Sequence, residues 1–417
     1  MQIDPTPSEA AIAARIIEAA SIGERLLLQG NGTKSGMLRP LTPARVVSTR
    51  DDSGITLYAP KELILSARAG TPLSDIEAAL TSGGQHMIAE PPDLRHLYGT
   101  IDRPQTIGGI VATNLSGPRR VAWGAVRDHV LGVRAVTGRG ELIHSGGRVL
   151  KNVTGLDLCK LFTGSHGTLG LMTEVTIKVL PAPESVGTLV IPGLDAAAGV
   201  AVLSQALGSP YGVSGAAWLP ADAAARVPAL AGAGGSVALV RIEDFAASVV
   251  YRTGKLAQEM GKPHIDILDD ATSRSVWQAI RDARALPATP DDAVWRVSVR
   301  PSAGPTVFGT LCGTAAPRSG EPRAGGPPGG GLRGFLDWGG GLVWLAGPAD
   351  AVTHEAVEIA ARAAGGHWTL MRGPDSLRSA VAVIPPEPEP LARITRRVKD
   401  AFDPKGILNP GRFSAGQ

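Results

Sequence analysis

Between Thr106 and Gly170 the chain carries three glycine-rich turns in fixed order. They are T-I-G-G-I-V-A-T-N-L-S-G, then W-G-A-V-R-D-H-V-L-G, then L-F-T-G-S-H-G-T-L-G. Each leads into or out of an apolar run. Small, uncharged residues stand where the backbone has to approach something closely. Glycine has no Cβ to hold a neighbour off and accepts φ > 0, so main-chain N–H groups can be turned toward a diphosphate. Such a set reads as the wall of a site for a large phosphate-bearing ligand.

A fourth loop, Gly30-Asn31-Gly32-Thr33-Lys34-Ser35-Gly36, comes earlier. Its spacing excludes two common phosphate loops. A P-loop needs G-x-x-x-x-G-K-[ST], and here only Gly30 and Gly32 precede Lys34-Ser35. A dinucleotide fingerprint needs G-x-G-x-x-G opening a helix. The third glycine, Gly36, falls one place late, and Pro40 blocks a long helix behind it. Strand, G-N-G-T loop and strand remain.

The chain of 417 residues suits two or three domains. With 43% hydrophobic and 19% charged residues it is globular. Aromatics make up 4%, with no cluster among basic residues, and 41 basic against 38 acidic residues leave +3. Neither fits a nucleic-acid partner. Cys159 and Cys312 fall in no C-x-x-C pair, so no zinc or iron–sulfur site and no metal ligand set is expected. The start, M-Q-I-D-P-T-P-S-E, has no signal-peptide pattern, and no apolar run reaches the ~20 residues needed to span a bilayer. A cytoplasmic protein is expected, attached to the inner face of a membrane only through partners.

Residues 8–20 read as an amphipathic helix with Ala11, Ile12, Ile16 and Ile17 on one face. Strands are expected at 26–28, 62–67, 130–136, 142–144 and 172–180. Thr71 reads as an N-cap with Pro72 at the first position of a helix running to about Thr81. Pro181-Ala182-Pro183 marks a domain boundary. Beyond it come strands at 188–191, 236–242 and 342–345 and helices at 196–207 and 391–402. Residues 313–334 hold almost only Gly, Ala, Pro, Arg and Ser, and read as a disordered surface insertion. The domains expected are thus 1–183, 184–385 and a C-terminal helix and tail at 386–417.

The ordered set of loops resembles the FAD-binding domain of the vanillyl-alcohol oxidase and p-cresol methylhydroxylase type flavoproteins, over roughly Arg25 to Pro183 plus the tail G-I-L-N-P-G. The resemblance implies an α+β fold: a two-subdomain FAD-binding domain, a smaller α+β cap or substrate domain, and a C-terminal helix and tail returning to the first. It implies that Gly30, Asn31, Gly32 and Thr33, with Thr106, Ile107, Gly108 and Gly109, hold the pyrophosphate by main-chain N–H groups. It places Asn114, Ser116 and Gly117 along the flavin. Gly164, Ser165, Thr168, Leu169 and Gly170 come near its isoalloxazine and adenine ends, and the Val175 main chain pairs with adenine. Lys34 and Arg127 are the nearby cations able to assist, a solvated surface charge being the alternative for each. Some members bind FAD covalently through a histidine in the first loop. Asn31 stands there, so non-covalent FAD is expected.

Within that group, V-W-R-V-S-V-R-P-S, L-D-W-G-G-G-L-V-W-L and R-R-V-K-D-A-F-D-P-K-G-I-L-N-P-G-R-F are similar to the family of second, smaller FAD-binding subunits of bacterial glycolate oxidases. That resemblance implies a place in a three-subunit complex beside a catalytic flavin subunit and an iron–sulfur subunit, with a small 2-hydroxy acid as substrate. A stand-alone dehydrogenase and a largely structural flavin-fold subunit are the alternatives. The catalytic residues stay unassigned. The second half holds only His264, His354 and His367, with none in an H-x-G-D-G-N-x-H segment and no pair at i, i+2 or i, i+4. Arg296 and Arg300 alternate on an expected strand and so share a face suited to a carboxylate, and Arg372 is a third arginine of interest. Trp295, Trp338 and Trp344 read as core or interface residues.

Overall fold

The computed structural model describes residues 4–41, 45–147, 156–313 and 331–414. The chain separates into two compact units. One comprises residues 1–116, 124–182 and 386–417, the other 117–123 and 183–385. Helices and antiparallel sheets mix in both, giving an α+β fold.

In the first unit a parallel pair, β1 (Leu26–Gln29) and β2 (Arg45–Ser48), stands beside a larger antiparallel sheet. That sheet runs in the order β3 (Ile55–Ala59), β4 (Ile64–Arg68), β8 (Gly170–Pro181), β6 (Val130–Thr137) and β7 (Leu142–Gly146), with β5 (Gln85–Met87) on the far end of β8. Helices Leu73–Ser82 and Ile107–Thr113 cover it with Ile76, Leu80, Ile107, Ile110 and Val111. The helix Pro7–Ile22 opens with a capping box in which Thr6 and Glu9 satisfy each other's backbone amides. Ile12, Ile16 and Ala19 share its buried face, whereas Ile17, one step around the helix, is 53% exposed. Ala11 is exposed as well, so two of the four residues expected on that face lie outside it.

Thr71 does not cap the second helix. Pro72 holds that position, with no side-chain cap. Thr71 Oγ1 instead accepts from Gly54 N–H and donates to the Arg68 carbonyl, tying the loop between β4 and the helix. The last stretch of chain returns here. Leu408 bridges β1 in parallel, Ile407 and Leu408 join Leu26 and Leu28 in one core cluster, and Phe402 stacks edge-on to Phe162 at 5.4 Å.

The second unit is an antiparallel sheet in the order β12 (Asp266–Leu268), β9 (Ser185–Pro192), β11 (Val237–Asp244), β10 (Val213–Leu219), β14 (Arg333–Asp337), β15 (Leu342–Gly347), β13 (Ala293–Ser298) and β16 (His367–Arg372). Its central strands are buried and mostly apolar, because helices such as Ala196–Leu207 and Ala246–Met260 pack on them, the buried exceptions on β11 being Arg241 and Glu243. Residues 314–330 of the expected insertion lie outside the described residues. Arg333 and Gly334, assigned to it from composition, open β14. A Cβ on Gly334 would overlap the Trp344 carbonyl, so strand pairing requires the glycine that composition reads as disorder. Among the described residues no helix is long and apolar enough to cross a membrane.

Candidate functional site

The glycine loops converge at one edge of the first unit. β1 ends at Gln29 and the chain turns through Gly30-Asn31-Gly32-Thr33, with Gly32 at φ 67°. A Cβ on Gly30 would overlap Thr106 Oγ1, so glycine is what lets the two loops meet. Asn31 Nδ2 donates to the Pro104 carbonyl at 2.9 Å, and Thr100 Oγ1 to the Thr33 carbonyl at 3.1 Å. The side chains and carbonyls of this loop are therefore fixed from outside. Its amides are not engaged: those of Gly30, Asn31, Gly32, Thr33 and Lys34 donate no hydrogen bond among the described residues. Successive amides in a turn with a left-handed residue form a concave anion-binding nest.

The second loop is used differently. Thr106 caps the helix Ile107–Thr113, accepting from Gly109 N–H at 3.3 Å. Ile107 N–H donates to the Thr71 carbonyl at 3.0 Å and Gly108 N–H to the Ala69 carbonyl at 2.9 Å. A Cβ on Gly108 would stand 2.7 Å from the Ala69 Cβ. All three of these amides have protein acceptors, and Gly108 serves close packing on Ala69, the residue after β4. Asn114, at φ 50°, ends the helix and accepts from Arg127 N–H, and Ser116 Oγ accepts from Val126 N–H, both at 3.0 Å. Gly117 belongs to the second unit, where its carbonyl accepts from Trp338 Nε1 at 3.1 Å.

The third loop packs on the first two. Gly164, at φ 87°, donates to the Val111 carbonyl, and a Cβ there would touch that of Asn114. His166, at φ 50°, donates its amide to the Ala112 carbonyl. Ser165 Oγ is buried with no partner among the described residues. Thr168 Oγ1 returns to the Ser165 carbonyl, Leu169 is buried, and Gly170 starts β8 against Thr137. Val175 lies inside β8 with Ala67 of β4 on one side and Val133 of β6 on the other, so strands flank its main chain on both sides.

The tail joins these loops. Asn409 Oδ1 accepts from Leu28 N–H at 2.7 Å, while its Nδ2 donates to the carbonyls of Leu28 at 3.1 Å and His166 at 2.7 Å. Arg412 donates to the carbonyls of Arg39 at 3.0 Å, Lys34 at 3.3 Å and Ser35 at 3.4 Å. Lys399 Nζ donates to the Thr168 carbonyl at 2.6 Å and the Leu408 carbonyl at 2.9 Å, and pairs with buried Asp403. The first loop is thus held by its carbonyls and the Asn31 side chain, which leaves its amides for a ligand, whereas the second and third loops also spend amides on protein acceptors.

Lys34 is not a solvated surface charge. It is buried, its Nζ donates to Gln105 Oε1 at 2.6 Å, and burial pushes it down to about 8, against the pull of Asp93. Burial, with Arg412 and Lys34 adding repulsion, pushes the His166 imidazole down to about 3, so it is neutral at ordinary pH. Arg127 is exposed. His166, Gln105, Asn409, Arg412 and Lys399 were not singled out as site residues in the sequence. The motif G-I-L-N-P-G-R-F carried the signal for two of them.

In the second unit, Arg296 sits on β13 with its guanidinium 5.0 Å from the Trp344 ring and 5.1 Å from the Trp338 ring. Arg120 lies 4.7 Å over that same Trp338 ring. Arg300 is exposed and lies beyond the strand, which ends at Ser298, so the two arginines do not share a strand face. Arg372 is committed to the carbonyls of Thr289 and Asp292. Trp295 is buried and donates to His354 Nδ1 at 3.1 Å, which places that histidine in the core. The sequence reading missed a buried ion cluster. Glu243 takes Arg119 at 2.6 Å and Arg241 at 3.3 Å, and these two arginines hold its carboxyl well below the usual range against the penalty of burial. Charged residues at i and i+2 in the otherwise apolar run V-A-L-V-R-I-E-D were the available signal.

The fold and loops define an FAD-linked oxidoreductase, and the comparisons with known proteins agree. Residues 6–146 match the FAD binding domain family, and residues 387–413 the C-terminal domain of FAD linked oxidases. The chain is 33% identical over 409 residues, 97% of each chain, to glycolate oxidase subunit GlcE of Escherichia coli (strain K12). A D-lactate dehydrogenase of Anaerostipes hadrus is 37% identical over 135 residues, 32% of this chain and 26% of that protein. The fold of 4-ethylphenol oxidase from Gulosibacter chungangensis superposes with a TM-score of 0.67 at 13% identity, over 97% of this chain and 87% of that one. The chain belongs to the p-cresol methylhydroxylase type family of FAD flavoproteins that includes glycolate oxidase subunit GlcE. Its cofactor is FAD.

Proposed function

We propose that this chain is the FAD-binding subunit of a glycolate oxidase complex, taking part in the oxidation of glycolate to glyoxylate and passing electrons to an iron–sulfur partner subunit. The observation that carries the FAD site is the run of unengaged amides at Gly30–Lys34, held open by carbonyl contacts from other segments. The orphaned Ser165 Oγ is a second fit to a polar ligand. The similarity to subunit GlcE carries the substrate and the complex.

Gly30, Asn31, Gly32 and Thr33 hold the diphosphate by their amides, and Lys34 supplies a buried positive charge behind them. Thr106, Ile107, Gly108 and Gly109 act by shape, bringing Thr106 against Gly30. Asn114, Ser116, Gly164, Ser165, Thr168, Leu169 and Gly170 form the wall along the rest of the cofactor. When bound, the flavin supplies two-electron acceptance from a C–H bond and release of electrons singly. The amide side chain of Asn31 donates to Pro104 and offers no nucleophile, which favours non-covalent FAD. A cytoplasmic location, with membrane association through partners, fits this assembly.

The test is the visible spectrum of the purified chain, followed by anaerobic addition of glycolate with and without the partner subunits. Flavin bands that bleach only with the partners support the complex. Bleaching of the chain alone supports a stand-alone 2-hydroxy-acid dehydrogenase. Absence of flavin sinks the FAD site, and flavin retained after acid denaturation sinks non-covalent binding.

A further inference from the structure

We propose that Arg103 is the solvent-side grip on the cofactor diphosphate: its guanidinium closes over the amides of Gly30–Lys34 and sets how tightly a nucleoside diphosphate group is held. The identity of the ligand rests on the proposed FAD site. The placement of the arginine rests on the contacts of residues 99–105.

Residues 99–105 lie along the first loop contact by contact. Thr100 Oγ1 donates to the Thr33 carbonyl at 3.1 Å, the Pro104 carbonyl accepts from Asn31 Nδ2 at 2.9 Å, and Gln105 Oε1 accepts from Lys34 Nζ at 2.6 Å. Arg103 stands between Thr100 and Pro104, and its Nη1 lies 3.7 Å from where a Cβ on Gly32 would be. Gly32 is the left-handed residue in the middle of the five unengaged amides, so the guanidinium stands beside the nest. The backbone that carries it is braced. Arg103 N–H donates to the Thr100 carbonyl at 3.1 Å, and Arg95 Nη1 donates to the carbonyls of Arg103 at 3.0 Å and Ile101 at 3.3 Å. Arg95 is in turn paired with Asp93 at 2.7 Å.

The side chain, unlike the backbone, is loosely held. It is 53% exposed, and its guanidinium makes no hydrogen bond among the described residues. Its contact is with the neighbouring Asp102 carboxylate at 3.7 Å, which is 74% exposed. An exposed pair at that distance contributes little and exchanges readily. The other cations at the first loop differ. Lys34 and Arg412 are buried, Lys34 donates to Gln105, and Arg412 donates to three carbonyls. Amides give a diphosphate directed hydrogen bonds with partial charges only. A guanidinium adds a full charge and a planar fork of donors that matches two phosphate oxygens. The long Arg103 arm can leave Asp102 for the phosphate while its braced backbone stays in place. A half-exposed charge is screened by salt, so this grip weakens as ionic strength rises.

The test titrates the full chain, freed of flavin, with two probes. FAD is followed by its fluorescence, and ADP, which carries the diphosphate without the flavin, by calorimetry. Both are expected to bind. Arg103→Gln should weaken each by about tenfold or more, as for loss of one charge-assisted contact, and should flatten the salt dependence. Arg103→Lys should keep part of the affinity. Lys61→Gln, which removes an exposed cation between β3 and β4, should leave it unchanged. The ligand-free melting temperature of Arg103→Gln should equal that of the parent chain, since no hydrogen bond is lost. Binding of both probes insensitive to Arg103→Gln overturns the inference and leaves the FAD site standing. So does a loss confined to FAD, which puts the arginine on another part of the cofactor. A loss of affinity with a matching drop in melting temperature also overturns it, because that marks a structural residue. ADP binding that depends on Arg103, with no FAD binding, sinks the proposed FAD site and keeps the diphosphate grip. Binding of neither probe sinks both.

Discussion

The two units hold charge in opposite ways. In the first, the face proposed for the diphosphate is a run of uncharged amides, with the buried cations Lys34 and Arg412 behind it. In the second, arginines crowd a tryptophan and a buried glutamate. The contrast follows from what each set of groups has to neutralise. A permanently resident diphosphate is matched by fixed dipoles, which are paid for at folding and need no counter-ion when empty. In the second unit the charges answer one another, the Glu243 carboxylate being tolerated in the core because Arg119 and Arg241 flank it.

Four expected outcomes test this contrast. The largest effect belongs to Glu243→Gln. It leaves Arg119 and Arg241 without their buried counter-charge and should cost about 3–5 kcal/mol in denaturant unfolding, with flavin kept by the protein that remains folded. Loss of flavin without loss of stability would break the contrast. Next comes Asn409→Ala, which strands Leu28 N–H and two carbonyls. A loss of about 2–3 kcal/mol is expected, accompanied by flavin release on gel filtration.

Gly30→Ala places a methyl against Thr106 Oγ1. Overpacking of about 1–3 kcal/mol is expected, with weaker FAD retention, and Thr106→Ala in the same chain should recover part of both. If the double variant is no better than the single, the close approach of these loops is not what glycine serves at this position.

The smallest effect is a pH dependence. Lys34 sits at about 8 when the site is empty, and a bound diphosphate raises it. FAD affinity should therefore fall as pH rises above about 8, by at most about tenfold per unit, with Lys34→Met removing the slope. The empty protein should show the opposite trend. A lysine lowered from 10.5 binds fewer protons folded than unfolded between about 8 and 10.5, so stability rises across that window.

Much of this was legible in the sequence, for reasons visible in particular residues. The glycine loops announce themselves because close approach leaves few alternatives, as Gly30 against Thr106 and Gly108 against Ala69 show. What the glycines do was harder to read. The T-I-G-G stretch resembles an anion loop, yet its amides close a helix turn and bond the segment that follows β4. Local spacing cannot tell an amide that has a distant acceptor from one that does not. Lys34 is the same case in reverse, because its burial depends on Gln105 and the tail. The second unit was less readable still. Arg119 and Glu243 come together from segments more than a hundred residues apart, and the left-handed backbone of Trp338 is not written in its residue type.

Asn409 and Leu28 are 381 residues apart, and their contact orders the first loop. A ribosome makes Gly30 to Lys34 long before it makes Asn409. The proposed cofactor cradle is therefore incomplete until synthesis has passed that asparagine, and FAD can be held firmly only from then on. Products cut short before Asn409, whatever else they fold, should emerge colourless, so the yellow of bound flavin reports that synthesis went beyond it.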